Sequence, residues 1–129
     1  MTAEQFYNHC LNAMGYTPNN NPLMRELFIT NLNNVLAECY EIENVQREMK
    51  NMPLLIEPQF VGGFSDDLMY DYQLLITLIM YGVCARLAIG DEDSVAAGYY
   101  DNLYEVAKMR PKKAMYVAVD DVYGGGEDG

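Results

Sequence analysis

The longest strongly apolar run of the chain, residues 74–85, constrains the fold more than any other feature. It is shorter than the ~20 residues that a helix needs to cross a bilayer, and Arg86 closes it, so we predict no contact with a membrane. We expect a buried central helix that begins near residues 65–67 and ends at Gly90. The predicted centre of the core comes from this helix and the next one: Leu75, Ile76, Ile79, Val83, Leu87, Leu103 and Ala107.

Start and stop signals predict two helices before the central one. A capping-box pattern begins at Thr2, and Gly15 can end a short first helix. Pro22 opens a second helix, whose apolar stripe holds helical spacing to about Val45, with a kink near Tyr40. Two prolines and a glycine pair in residues 53–63 favour an extended connection over the core.

The last third of the chain is expected to add a helix and an arm. The fourth helix is ended by Pro111, and its predicted stripe consists of Val95, Tyr99, Leu103, Val106 and Ala107. Residues 114–123 alternate like a strand and have too little chain after them to form their own hairpin. The predicted fold is therefore all-α: a four-helix bundle-like domain (1–113) with an extended connection after helix two, then a C-terminal strand-like docking arm and flexible tail (114–129).

Composition indicates one acidic globular domain. The 129 residues include 19 acidic and eight basic side chains, a formal net charge of -11, which disfavours general binding to nucleic acids. The three cysteines, Cys10, Cys39 and Cys84, lie among apolar residues at helical positions and are expected to be reduced, buried thiols. The start of the sequence lacks the basic region and apolar core of a secretory signal, so we expect synthesis in the cytoplasm.

Catalysis, metal binding and cofactor binding are not expected. The one histidine, His9, is adjacent to Cys10, and adjacent helical residues point about 100° apart, so they cannot act as base and nucleophile. No set of His and Cys has the spacing of a zinc site, and the acidic residues 91–93 and 120–121 lack the pattern of a calcium loop. We interpret these acidic residues as helix caps and solvated charge, and predict that the protein is not an enzyme.

Half of the basic residues fall in six positions near the end of helix four, at Lys108, Arg110, Lys112 and Lys113. They either complement the dipole at a helix C-terminus or form a docking patch for an acidic surface, and the sequence favours neither. Tyr70 and Tyr100 lie off their apolar stripes and are predicted at an interface. The predicted partner-binding residues are the four cations and the apolar or aromatic residues of the arm: Met115, Tyr116, Val117, Val119, Val122 and Tyr123.

Four segments in order resemble the small head-tail connector, or adaptor, proteins of tailed bacteriophages. They are the apolar helix 74–87, the acidic turn 90–93, the Tyr-rich helix 97–104 and the closing residues 121–124. The resemblance implies a virion protein, made in the host cytoplasm, that forms a ring of about twelve subunits under the portal. It further implies contacts with the portal and with a tail-side connector or stopper protein, while DNA passes through the channel without specific binding.

The charge adds an expectation about assembly, and one alternative function stays open. Subunits that carry -11 each repel one another, so rings should form on a portal or at high protein concentration, assisted by salt. The alternative is a small acidic helical regulatory or inhibitor module, monomeric or dimeric, that binds a basic groove on another protein.

Overall fold

The structure, a computed structural model, describes the backbone of residues 1–17 and 22–123 and the side chains of these residues up to Met109. Five helices contain most of this part of the chain: α1 (Ala3–Met14), α2 (Pro22–Glu38), α3 (Tyr40–Met49), α4 (Tyr72–Gly90) and α5 (Ser94–Tyr123). The chain is 70% helical, and the described residues form no strands, which confirms the predicted all-α class. The predicted flexible tail, residues 124–129, lies outside the described residues.

The first helix has the ends that the sequence predicts. The Thr2 hydroxyl accepts a hydrogen bond from the backbone N–H of Gln5 at 3.2 Å, and the Gln5 side chain accepts one from the Thr2 N–H at 2.9 Å. Gly15 ends the helix with a φ of 80°, a left-handed conformation that glycine adopts with little strain. The two ends of α1 are therefore those that the local capping signals predict.

The predicted second helix divides at Cys39 into α2 and α3, next to the predicted kink at Tyr40. Cys39 has a φ of -99° and a ψ of 8°. Its N–H still donates to the Val35 carbonyl at 3.0 Å, and its carbonyl accepts from the Glu43 N–H at 2.9 Å. Five helices therefore stand where four are predicted, without a loop between α2 and α3.

The central helix α4 begins at Tyr72, so the predicted start at residues 65–67 is wrong. Backbone hydrogen bonds of 2.8 to 2.9 Å instead join residues 64–68 to residues 1–4, so these groups are not available for a first helical turn. Asp71 caps α4 in their place, because its carboxylate accepts a backbone N–H of the first turn at 3.3 Å.

Helix α4 occupies the centre of the protein. It contains a π-helical stretch, Leu75–Ile79, between two α-helical parts. Among the described helices, only α4 is long and apolar enough to cross a membrane, and 56% of its most apolar window is buried inside the protein. Of the predicted core residues, Ile76 and Leu103 are half-buried, and five are buried: Leu75, Ile79, Val83, Leu87 and Ala107.

Helix α5 turns a different face to the core from the predicted one. Three residues of the predicted stripe are exposed, Val95 (83%), Tyr99 (61%) and Val106 (47%). Its other two members are Leu103, half-buried, and Ala107, buried as predicted, while Ala97 and Tyr104 are buried outside the predicted stripe. The Tyr104 ring sets this register: it lies directly over Gly82 of α4, where an added Cβ would be 2.7 Å from the ring. The Tyr104 hydroxyl then donates to Glu38 at 2.8 Å, which ties α5 to α2 as well.

Replacement of Gly82 by alanine tests this contact. The new methyl group would force the Tyr104 ring out of its hydrogen-bonded position, so we expect a loss of about 1 to 3 kcal/mol in the free energy of unfolding. The control is Gly98→Ala on the exposed side of α5, where nothing lies within 4 Å of the added Cβ, and which should gain up to about 1 kcal/mol from helix propensity. Chemical denaturation of both variants gives the comparison, and equal stabilities would contradict the assigned register.

The chain beyond Met109 departs most from the prediction. Helix α5 continues through Pro111 to Tyr123, where the sequence predicts a helix end and then a strand-like arm over residues 114–123. A strand needs a neighbouring strand for its backbone hydrogen bonds, and the described residues offer none, whereas a helix satisfies these groups within the segment. The helix tolerates Pro111 at the cost of one lost hydrogen bond, and it crosses the predicted domain boundary at residue 113.

Candidate docking site

The irregular connection between α3 and α4, residues 50–71, is tied at both ends to a buried ion pair. Arg47 Nε lies 2.6 Å from Glu43 Oε2, and the two side chains are only 11% and 1% exposed. Arg47 also donates to the Pro53 carbonyl at 3.1 Å and to the Met69 carbonyl at 2.8 Å, while Glu43 accepts the Asp71 N–H at 2.8 Å. One ion pair therefore holds the start and the end of the connection together.

Two asparagine side chains fix the middle of the connection. The Asn44 amide donates to the Leu55 carbonyl at 3.0 Å and accepts the Leu55 N–H at 2.8 Å. Asn33 makes the same two bonds with Val61, at 2.9 and 2.7 Å. The Tyr40 hydroxyl donates a second hydrogen bond to the Leu55 carbonyl, at 2.7 Å. Because each asparagine satisfies both backbone groups of one residue, it replaces the partner strand that an extended segment otherwise needs.

Further hydrogen bonds join residues within the connection to one another. The Gln59 side chain donates to the Asp67 carbonyl and accepts the Met69 N–H, both at 2.7 Å. The Asp66 carboxylate accepts the Gly62 N–H at 2.7 Å. The segment is thus an ordered loop whose backbone conformation is determined by named polar contacts.

The docking loop, residues 54–61, exposes two large apolar side chains between the two asparagine-held positions. Ile56 is 97% exposed and Phe60 is 80% exposed, although Val61 beside them is fully buried. Leu54 adds a third side chain at 53% exposure. Apolar groups held in water by a fixed backbone gain nothing for folding, and such a surface is typical of a site that a partner covers.

The sequence places this segment over the core and therefore misses the exposure of Ile56 and Phe60. The available signal is the pair Asn33 and Asn44, polar residues next to the apolar stripe of the predicted second helix. Amide side chains on a helix face that packs against an extended segment can bond to its backbone. The pairing with Leu55 and Val61 depends on where the connection crosses the helices, which only the folded chain determines.

The chain segment that contains the docking loop is acidic in sequence. Residues 51–85 contain Glu57, Asp66, Asp67 and Asp71 and no lysine or arginine. The nearest cation before them, Lys50, lies 2.5 Å from Asp71. Burial alone would raise the pKa of the Asp71 carboxyl, but hydrogen bonds from Lys50 and the first turn of α4 lower it below its usual value. The exposed Glu57 between Ile56 and Phe60 therefore gives the loop a negative charge next to its apolar side chains.

Removal of one asparagine contact tests whether the loop is held as described. We expect Asn33→Ala to lower stability by about 1 to 2 kcal/mol, because it removes two hydrogen bonds and leaves the Val61 backbone groups unpaired. Amide hydrogen exchange at Val61 should accelerate more than exchange in α4. Asn34→Ala, at the adjacent exposed position of α2, is the control and should change neither quantity. Equal effects of the two variants would contradict the assigned contact.

All ten predicted partner-binding residues fall on helix α5, and the side chain of one of them, Lys108, is described. Lys108 Nζ lies 3.0 Å from Glu105 and 4.5 Å from the centre of the Tyr104 ring. Since α5 continues to Tyr123, the four cations are not at a helix C-terminus, and the dipole interpretation loses its basis. The remaining predicted residues lie where only the backbone is described: Arg110, Lys112, Lys113, Met115, Tyr116, Val117, Val119, Val122 and Tyr123.

The interface prediction for Tyr70 and Tyr100 is wrong for Tyr70. Tyr70 is 3% exposed, and its hydroxyl donates to the Leu36 carbonyl at 2.5 Å. Tyr100 is half-buried and donates to the Ala13 carbonyl at 2.8 Å. The Tyr70 ring is buried because an inward tyrosine can satisfy its hydroxyl with a carbonyl at a helix end.

An open groove of about 340 Å³ lies between the end of α1 and the start of α5. Met14, Val95 and Tyr99 contribute its apolar walls, and Asp93 lies at its edge. It is a second surface on which a partner side chain could rest, next to the acidic turn 91–93.

Among the groups that most often carry chemistry, Cys10 and Cys84 lie close together, with the Cys84 Sγ 3.7 Å from the Cys10 carbonyl oxygen, whereas the Cys39 Sγ lies 3.4 Å from the Tyr104 hydroxyl. The three cysteines are free and buried, as predicted, and burial raises the pKa of the Cys10 and Cys39 thiols. His9 is exposed on α1. Among the described residues, no three His, Cys, Asp or Glu side chains are grouped as metal ligands. The candidate functional site is therefore the docking loop, where apolar side chains are exposed on a fixed backbone.

The fold and this site define a class: an all-α protein with a preformed, apolar and acidic docking loop between its third and fourth helices. Comparisons of the chain with protein-family models, curated protein sequences and solved structures give no match.

Proposed function

We propose that this protein is a head-tail connector, or adaptor, of a tailed bacteriophage. It is a structural virion protein whose copies form a ring of about twelve under the portal, extend the DNA channel and join head to tail. The observation that carries the proposal is the docking loop, in which Asn33 and Asn44 hold the backbone while Ile56 and Phe60 remain exposed. Such preorganisation of apolar side chains lowers the entropic cost of binding another protein.

The net charge of -11 agrees with a place around DNA. A wall that carries negative charge repels phosphates, so DNA passes through the channel without specific binding. In this proposal the protein is made in the host cytoplasm, acts at the head-tail interface of the virion, and has no enzymatic activity, cofactor or membrane contact.

The proposed partners are the portal, a tail-side connector or stopper protein, and neighbouring copies in the ring. The segment from Lys108 to Tyr123 is the proposed docking element on α5, and it contains both the basic cluster and the apolar residues of the predicted arm. A four-helix bundle-like packing, and a strand form of residues 114–123 on a partner, stay predictions within this proposal.

A chain that ends after Lys113 tests the docking element. Ala107 is the last buried side chain described, so circular dichroism and thermal melting should change little. Co-sedimentation with purified portal rings should fall, because residues 114–123 are removed. Equal binding of the truncated and full chains would show that residues 114–123 do not dock, since the truncated chain keeps the basic cluster from Lys108 to Lys113. If the full chain does not bind the portal at all, the connector proposal itself is wrong.

The docking loop also favours a second candidate, the small acidic regulatory or inhibitor module. The exposed Glu57 lies between Ile56 and Phe60 in the sequence, and residues 51–85 contain no lysine or arginine, a combination that fits a basic groove with apolar walls. This candidate predicts a monomer or dimer that does not bind the portal, so the same co-sedimentation experiment separates the two functions.

A further inference from the structure

Helix α5 carries apolar residues and cations that complement the docking loop in chemistry. Val106 and Met109 are 47% and 57% exposed on this helix. Arg110 and Lys113 follow at positions four and seven residues after Val106, and helical periodicity places these positions on the same face. We call these four residues the basic face: it combines two apolar side chains with two cations.

We propose that the docking loop of one copy binds the basic face of a second copy. Ile56 and Phe60 pack against Val106 and Met109, and the acidic charge of the loop faces the cations of the helix. The same contact also explains why an acidic protein concentrates half of its basic residues, Lys108 to Lys113, in one short segment: they offset the repulsion between copies.

The contact joins different surfaces of two copies. In a single chain Ile56 is 97% exposed and Met109 is 57% exposed, so neither surface is covered by the other. An interface between two different patches leaves one of each patch free after every binding step, and such head-to-tail contacts form a ring when the rotation between copies closes and an open filament when it does not. This contact rests on the proposed function only for the ring. It adds which two surfaces of neighbouring copies meet in that ring.

Charge decides between the basic face and the groove beside α1 as the site for the loop. The groove has apolar walls from Val95 and Tyr99, but Asp93 and the acidic turn 91–93 lie at its edge. Glu57 of an approaching loop would be repelled there, whereas Arg110 and Lys113 attract it. The basic face is thus the better counterpart on a second copy.

The contact is expected to be weak for a single pair of copies. Its apolar centre comes from four side chains, a smaller area than in stable dimers, so we expect dissociation constants of about 10 to 1,000 µM. At about 0.15 M ionic strength the Debye length is near 8 Å, so the repulsion between whole copies is screened while the close charge pairs persist.

Sedimentation velocity over a concentration series up to roughly 1 mM tests the contact in the full chain without any portal. Ile56→Ser with Phe60→Ser makes the loop variant, and Met109→Ser with Lys113→Glu makes the helix variant. Each should weaken self-association by about tenfold or more while its thermal melting stays close to that of the parent protein. The control, Ile89→Ser with Val95→Ser, changes exposed apolar residues elsewhere and should associate like the parent protein.

A mixture of the two variants gives the decisive result. The helix variant keeps its loop and the loop variant keeps its basic face, so an equimolar mixture can form one intact contact per pair and should stop at a heterodimer. Three results would overturn the proposal: a parent protein that stays monomeric, a helix variant that associates as well as the parent, or a mixture without heterodimer. Self-association without portal binding would refute the connector function and leave this contact standing.

Discussion

Replacement of Ile79 by aspartate is expected to unfold the protein at room temperature. Ile79 is fully buried in the π-helical stretch of the central helix. A carboxylate at this position would lose its hydration without gaining a partner, at a cost of several kcal/mol. The total free energy of unfolding of a domain this size is about 5 to 15 kcal/mol, so the variant should show little cooperative melting by circular dichroism.

The matched control for this variant is Ile89→Asp, ten residues further along the same helix. Ile89 is 66% exposed, so its replacement should leave the melting temperature within a few degrees of the parent value. Burial raises the pKa of the new carboxyl at position 79 above its unfolded value, so the destabilisation should lessen as the pH falls from that raised pKa towards about 4, the unfolded value, and should not change further below it. If Ile79→Asp melted like Ile89→Asp, the assignment of the central helix would be wrong.

Loss of the Glu43 carboxylate is expected to have the second largest effect, and it acts on both the fold and the docking loop. Glu43→Ala leaves Arg47 charged and only 11% exposed, which should cost about 3 to 5 kcal/mol. It also removes the acceptor of the Asp71 N–H and releases the side chain that holds Pro53 and Met69. We therefore expect a lower midpoint of chemical denaturation and faster hydrogen exchange across residues 53–71.

Two further variants separate the possible causes. Glu41→Ala changes an exposed carboxylate of the same helix and should be nearly neutral. Glu43→Leu combined with Arg47→Met removes both charges and should be more stable than Glu43→Ala, because no unpaired charge stays buried. The double variant should still show the faster exchange, since the bonds to Pro53, Met69 and Asp71 are lost in both. Normal exchange in these variants would mean that the ion pair does not hold the connection.

The two predictions concern one physical arrangement. A stable core around α4 carries α2 and α3, and polar side chains on these helices hold an irregular segment away from that core. The hydrophobic effect alone would favour burial of Ile56 and Phe60. The stability of the helices offsets the cost of leaving these two side chains in water. The core and its helices thus form a rigid base from which residues 54–61 protrude, and this protruding loop is the proposed binding surface.

Much of the fold could be predicted from the sequence because it depends on local signals. The capping box at Thr2, the left-handed glycine at Gly15 and the proline at Pro22 act within one turn of helix. The burial of α4 follows from its apolar run, because a helix with this pattern is stable in water only when its apolar residues pack into a core. These features determine the all-α class and the order of the first three predicted helices.

The start of α4, the register of α5 and the form of residues 114–123 could not be predicted in the same way. Each depends on which distant group is available: residues 1–4 bind the backbone of 64–68, Gly82 admits the Tyr104 ring, and no described strand offers an edge to the predicted arm. The local sequence at each of these three positions is compatible with more than one backbone conformation or helix register. The choice is made by long-range contacts that contribute a few kcal/mol at most.

The features of the candidate site likewise separate into those that the sequence determines and those that only the tertiary structure decides. The sequence by itself determined the acidic charge, the buried thiols and the concentration of cations at Lys108 to Lys113. Only the tertiary structure decided that Asn33 and Asn44 face a crossing segment, and that Ile56 and Phe60 therefore stay in water. Charge and helical periodicity are properties of neighbouring residues, whereas the exposure of a side chain depends on where the rest of the chain passes.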